Sequence, residues 1–409
     1  MRVRRRVFAG SVLGLLVMGC APDHLRNRPS GDAPAGTPQP SGSASPSPTA
    51  TPDPVVTIIP NVSSGSTDVS VDHRLKITVE QGKLTGVNVA GKGRTNKGAE
   101  TNVTVDGDLT EGEWQASTRL QPATAYTIEA TGIGTDGRTK TNTLTFSTVN
   151  LSLKEQIFPS IYPESGTVGV AMPVMIKFDL PVADRASFAR HLKVTTTPVQ
   201  EGAWVWLSDT EVHWRPKDFF QAGTKVKVEA DLQSVPAGGG KFGQLSRTVE
   251  FAVGKAQQTE VNLATKQLVQ KVNGQVVRTV PISAGKPGFI TRSGTKVVSE
   301  KLPQTRMASE TIGISNNDPT NGYDLQVKWA IRITDSGEFL HAAPWNMAKF
   351  GKENSSHGCI GMSDADAQAL FGIIQVGDPV VVTGSDRPLE PQNGITDWNV
   401  SWDKWKSWA

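Results

Sequence analysis

The sequence predicts a mainly β protein: two β-sandwich modules in tandem, a third β-rich module, and a tryptophan-rich tail. Three observations lead there. Short runs that alternate apolar and polar residues recur between 40 glycines and 26 prolines, the pattern of strands with one face in a core and the other in water. A stretch of about a hundred residues, the usual size of a β-sandwich, is followed by a second with the same order of strand signals. Beyond them the pattern changes to hairpin signals and a single helix.

Residues 1–20 read as an export signal. Met1–Arg6 is basic, and Val7–Val17 is an apolar run too short to remain as a membrane-spanning helix. It closes with Val17-Met18-Gly19-Cys20, which resembles the lipobox of bacterial lipoproteins, so that Cys20 is the expected lipidation site. The alternative is a plain secretory signal with an incidental cysteine. Arg4-Arg5-Arg6-Val7-Phe8 leaves the export route open. Residues 21–54, rich in Pro, Ser, Gly, Ala and Thr, hold too few large apolar side chains to offset the entropy of ordering and read as a tether.

Residues 55–149 and 150–253 form the repeat. Asp68-Val69-Ser70-Val71 followed by Leu75-Lys76-Ile77-Thr78-Val79 matches Thr167-Val168-Gly169-Val170 followed by Val174-Met175-Ile176-Lys177-Phe178. Leu120-Gln121-Pro122-Ala123-Thr124, leading to Tyr126–Ala130, matches Phe220-Gln221-Ala222-Gly223-Thr224, leading to Val226–Ala230. Each copy closes on an alternating strand, Leu144-Thr145-Phe146 and Val249-Glu250-Phe251. These are two immunoglobulin-like modules, without clustered His, Cys or paired acids. His73 and His213 stand alone. Trp204, Trp206 and Trp214 suit sheet packing better than a carbohydrate-stacking surface.

Residues 254–385 open with strand-like runs around Asn273-Gly274, a strong hairpin signal. Further strands are expected at Thr279–Ser283, Gln326–Ile333, Phe339–His341 and Pro379–Thr383, with a helix over Asp364–Ile374 capped by Ser363. In residues 386–409, Trp398, Trp402, Trp405 and Trp408 are spaced to share one face of a short helix, which would dock on a neighbouring module. Lys404 and Lys406 beside them admit a membrane-surface or glycan-stacking role instead.

Charge narrows the partners. With 42 Lys and Arg against 39 Asp and Glu there is no basic stripe, and no nucleic-acid partner is expected. The second of the two cysteines, Cys359, has no partner in the chain once Cys20 carries lipid, which leaves a bond to another chain or a reactive thiol. Its surroundings favour the thiol. Ser355-Ser356-His357-Gly358-Cys359 sets it among small residues whose backbone N–H groups can be exposed, and His341 stands 16 residues before His357. A thiol needs a base to ionise near neutral pH, and an imidazole supplies one. N–H groups around Gly358 and Cys359 suit a developing oxyanion. A zinc site lacks a second ligand pair and a nearby acid, so neither metal nor cofactor is expected.

His341 and the Ser356-His357-Gly358-Cys359 core together resemble the signature of the YkuD-type L,D-transpeptidases. The likeness extends to a lipoprotein signal, two immunoglobulin-like modules, a catalytic β-domain and a Trp-rich C-terminal segment. It implies Cys359 as nucleophile, His341 as general base oriented by the Ala342 backbone carbonyl, and His357 as a shaper of the site. It also implies a substrate pocket with Tyr323, Ser336 and Gly337, beside Ser356; Met307 and Trp345 are candidate walls, with core packing as the alternative. Two departures stand out: Gly361 where the family usually has asparagine or arginine, and Thr291-Arg292-Ser293-Gly294 where it often has Thr-Pro-x-Gly. The implied partners are peptidoglycan stem peptides, the membrane through Cys20, and carbapenem-type β-lactams as covalent inhibitors. The implied place is the outer face of the cell membrane, towards the wall. An L,D-carboxypeptidase and a non-catalytic wall-binding lipoprotein are the competing readings.

Overall fold

The computed structural model describes residues 52–94 and 98–409. Cys20, the export signal and nearly all of the tether lie outside the described residues. Pro54–Ala409 forms one unit.

In the first sandwich a sheet of Thr57–Pro60, Lys76–Glu80, Glu113–Ala116 and Gly107–Leu109 faces a five-stranded sheet built on Thr139–Thr148, Ala125–Gly134 and Gly82–Arg94. Alternation does the sorting. Tyr126, Ile128 and Ala130 are buried, while the residues between them are exposed. The second sandwich repeats this plan down to register. Tyr126 lies opposite Phe146 in the first, and Val226 opposite Phe251 in the second. In each, a short early strand, Ser66–Val69 or Thr167–Val168, pairs parallel with the last. Each core also holds a tryptophan under a glycine. A Cβ on Gly107 would come within 2.4 Å of the Trp114 ring, and one on Gly202 within 2.0 Å of Trp214. Only a residue without a side chain lets the indole lie that close to the strand. Trp206 stacks on Phe178, with centroids 5.5 Å apart, and Trp204 packs on the same core.

The third module pairs a five-stranded sheet with a four-stranded one. The first has the order Gln275–Pro281, Gln267–Val272, Gln257–Asn262, Pro379–Thr383 and Gly294–Val297. Its hairpin turns at Asn273 and Gly274, both with positive φ, as a tight two-residue turn requires. The second has the order Glu300–Ala308, Asp324–Arg332, Phe339–Ala342 and Ile360–Met362. The helix Asp364–Ile373 starts where Ser363 accepts a hydrogen bond from the Asp366 N–H.

The tail departs from expectation in form. Its four tryptophans do not share one helix face: Trp398 lies in a 3-10 turn, Asp397–Asn399, and Trp402 and Trp405 lie in the helix Trp402–Lys406. Trp408 follows the end of that helix. Extended backbone at Val400 and a new cap at Ser401 interrupt what spacing alone reads as continuous. The docking is onto the second sandwich. Arg215, 2% exposed, places its guanidinium over the rings of Trp398, Trp402 and Trp405 at 4.8, 5.4 and 4.8 Å. Trp398 Nε1 donates to the Ala171 carbonyl at 2.7 Å, and Trp405 Nε1 to that of Ala203 at 3.1 Å. Asn399 meanwhile exchanges hydrogen bonds with the Thr295 backbone, at 2.8 and 2.7 Å, so the tail ties the second sandwich to the third module.

His213 reinforces that tie. Its Nδ1 meets Asp397 Oδ2 and its Nε2 meets Glu211 Oε1, each at 2.9 Å. Burial opposes the charge, but the two carboxylates outweigh it and push the imidazole up to about 9. A pKa raised on folding adds stability that is complete below about pH 6.5 and fades as pH rises through about 9, on the order of 3 kcal/mol in all. Denaturant unfolding of the intact protein should therefore show stability falling between those pH values. His213→Gln should remove that limb; an unchanged limb would mean that another group carries it.

Candidate active site

Two parallel neighbours in the four-stranded sheet create the site. Phe339–Ala342 pairs with Ile360–Met362 so that Leu340 faces Ile360 and His341 faces Gly361. Cys359, just ahead of the second strand, is thereby set beside the strand that carries His341. Both line a cavity of 230 Å³, together with Met307, Tyr323, Trp345, Ser356, His357 and Gly361. Leu325 and Val327 add apolar wall, and Ser283, Asn346 and Ser355 add polar groups. Sequence reasoning named none of these five as site residues, although Ser283 and Val327 lay in expected strands and Ser355 in the cysteine motif.

His341 is buried, and burial holds its imidazole below the ordinary histidine range. Its Nδ1 lies 2.8 Å from the Ala342 carbonyl oxygen. A carbonyl only accepts, so Nδ1 carries the proton and Nε2 keeps its lone pair. The Trp345 ring stacks over the imidazole at 6.1 Å. Cys359 is partly exposed, and burial against Phe339 and Val327 pushes its thiol up to about 11. Its S–H donates to the Gly337 carbonyl, 3.6 Å away. Burial thus favours the neutral form of both side chains.

The cysteine loop is fixed from within. Ser356 Oγ donates to the Cys359 carbonyl at 2.6 Å and accepts the Gly358 N–H at 3.1 Å. Thr291 Oγ1 donates to the Gly358 carbonyl at 2.8 Å. Gly358, at φ 125°, occupies backbone space that L side chains rarely adopt. The expected oxyanion donor is thus engaged inside its own loop, because the Ser356 hydroxyl sits within reach of the Gly358 N–H. His357 packs its ring edge-on to Phe289 at 4.5 Å and beside Tyr323 at 5.0 Å. Tyr323 is held by backbone and side-chain bonds to Ser309, and burial together with a charge at Cys359 pushes its phenol up to about 12.

Ser336 and Gly337 are not brought into this cavity wall. They form a turn behind the sulfur, where Ser336 Oγ accepts from Asn393 Nδ2 at 3.0 Å and lies 3.2 Å from Thr334 Oγ1. Only the Gly337 carbonyl reaches Cys359. At the Gly361 departure, a Cβ would lie 3.0 Å from the Ala343 Cβ, so glycine relieves a tight spot while removing a side-chain donor from the cavity.

A β-rich module presenting a cysteine and an oriented neutral histidine in one cleft has the architecture of an acyl-transfer enzyme. Comparison with known proteins makes this specific. Residues 257–382 match the L,D-transpeptidase catalytic domain, and residues 66–236 match the bacterial Ig domain. L,D-transpeptidase 2 of Mycobacterium tuberculosis is 36% identical over 350 residues, which are 85% of this chain and 83% of that protein. L,D-transpeptidase 1 of the same organism is 34% identical over 226 residues, 55% of this chain and 84% of that protein. A solved structure of LD transpeptidase LdtMt1 in complex with imipenem is 33% identical with a TM-score of 0.48, covering 55% of this chain and 97% of that one. The chain belongs to the L,D-transpeptidase family.

Proposed function

We propose that this L,D-transpeptidase joins peptidoglycan stems through an acyl-enzyme on Cys359. The observation that carries the reading is the shared cavity of Cys359 and His341, with the His341 Nδ1–H given to the Ala342 carbonyl and Nε2 left as base. His341 takes the thiol proton as sulfur attacks the carbonyl carbon of the third residue, meso-diaminopimelate, in a tetrapeptide stem. The C–N bond to the terminal D-alanine breaks, and the imidazolium returns the proton to the leaving amine. The side-chain amine of a second stem then attacks the thioester, gives a proton to His341 and expels the sulfur. The product is a cross-link between third-position residues, and the thiol is restored. Met307, Leu325, Val327 and Trp345 supply apolar wall for the stem's aliphatic parts, and Tyr323 and His357 close one side.

The test is intact-protein mass spectrometry with a carbapenem and, separately, with a tetrapeptide stem. A covalent adduct mapped to Cys359 is expected with each. Adding an acceptor stem should give cross-linked dimer, whereas release of tripeptide alone would make the enzyme a carboxypeptidase. A folded protein with a free thiol and no adduct would favour a wall-binding lipoprotein.

Lipid anchoring at Cys20, with the folded part facing the wall, belongs to the same proposal and is supported by Val17-Met18-Gly19-Cys20. Fatty-acid labelling of the expressed protein should be lost in Cys20→Ala; label retained in that variant would end the anchoring claim.

A further inference from the structure

A charged network lies behind the nucleophile, outside the cavity. Lys296, on the strand Gly294–Val297, is wholly buried, and its Nζ bonds to Glu338 Oε2. Glu338 is itself 3% exposed, and its Oε1 accepts from the Arg292 backbone N–H at 3.1 Å and from Arg292 Nη1 at 3.0 Å. Arg292 reaches on to Glu390 in the tail. Two cations thus converge on one buried carboxylate.

Its place in the chain matters more than its strength. Glu338 directly follows Gly337, whose carbonyl accepts the thiol proton. Its side chain also runs under the nucleophile loop, with Cγ 3.6 Å and Oε1 3.7 Å from where a Gly358 Cβ would be. Fixing the Glu338 side chain therefore fixes both sides of the sulfur's cradle. Stability alone does not account for the charges, because a buried ion pair is often no better than an apolar pair of the same size.

We propose that Lys296, Glu338 and Arg292 are positioning residues that hold the backbone cradle of Cys359 and set the charge its sulfur meets. This rests on Cys359 being the nucleophile. The charged and titratable groups around the sulfur are Glu338, Lys296 and Arg332 behind it and His341, Tyr323, His357 and Lys349 on the cavity side. Lys296 and Arg332 favour the thiolate, and Glu338 opposes it. Burial draws Lys296 below the usual lysine range, with Glu338 pulling it back.

The test is the pH dependence of iodoacetamide alkylation, mapped to Cys359 in the full chain. Lys296→Met should move the midpoint up, and Glu338→Gln should move it down, each by about half to one pH unit. Below both midpoints the rates then change about three- to tenfold, in opposite directions. Midpoints that stay put, or move together, would overturn the proposal. Should either single variant fail to fold, Lys296→Met/Glu338→Leu replaces the charges with apolar bulk. A folded double variant acylated by carbapenem about tenfold more slowly supports the cradle role; one that matches the parent in acylation rate and alkylation midpoint overturns it. Alkylation needs no stem, so a Cys359 that never accepts an acyl group would refute the catalytic reading while leaving these shifts readable.

Discussion

Cys359→Ala should fold as the parent does, form no adduct with carbapenem or stem, and lose D-alanine release by about 10⁴-fold or more. The side chain is partly exposed at the cavity edge and makes one weak hydrogen bond, to Gly337, so its removal should cost little stability. What is lost is the sulfur proposed to carry the acyl group. The loop is held by Ser356 and Thr291 independently of the sulfur, so the cavity should keep its shape. Matched thermal unfolding with total loss of adduct is the expected pair of results. A variant that still releases D-alanine near the parental rate would place the nucleophile elsewhere.

His341→Ala should slow acylation by about 10²- to 10⁴-fold at neutral pH, with a pH signature of its own. A thiol near pKa 11 is ionised in only about one molecule in 10⁴ at pH 7, so the base has that much to supply. In the parent, acylation should fall on the acid side as His341 protonates. Because burial lowers that imidazole, the acid limb should lie below pH 6.5. Without the imidazole the reaction depends on free thiolate, and the rate should climb about tenfold per pH unit towards pH 11. The defect should therefore narrow as pH rises. A constant ratio of parent to variant across that range would remove His341 from the base role and leave it as packing.

Much of this was legible in the chain itself. The repeat could be aligned because period-two alternation assigns each side chain to a face, and the same alignment reappears as Tyr126 opposite Phe146 and Val226 opposite Phe251. Asn273-Gly274 and the Ser363 cap were readable because turns and helix starts depend on a few adjacent residues. The tryptophan tail was half legible. Docking followed from its composition, but the break at Val400 and Ser401 depends on how Trp398 and Trp405 seat on Arg215, which no spacing reveals.

Residues that act across long stretches of chain were opaque. His213 looked isolated, yet its partner Asp397 is 184 residues away. Lys296 and Arg292 meet Glu338 across 42 and 46 residues. Strand faces and turns follow from local pattern in the chain, and its functional groups mark Cys359 and His341 as candidates for acyl transfer. The folded chain supplied the rest: the parallel pairing that sets His341 beside Cys359, the contact that puts the His341 proton on Nδ1, and the buried charges behind the sulfur. Those depend on which distant surfaces exclude water together, and only the folded chain brings them into contact.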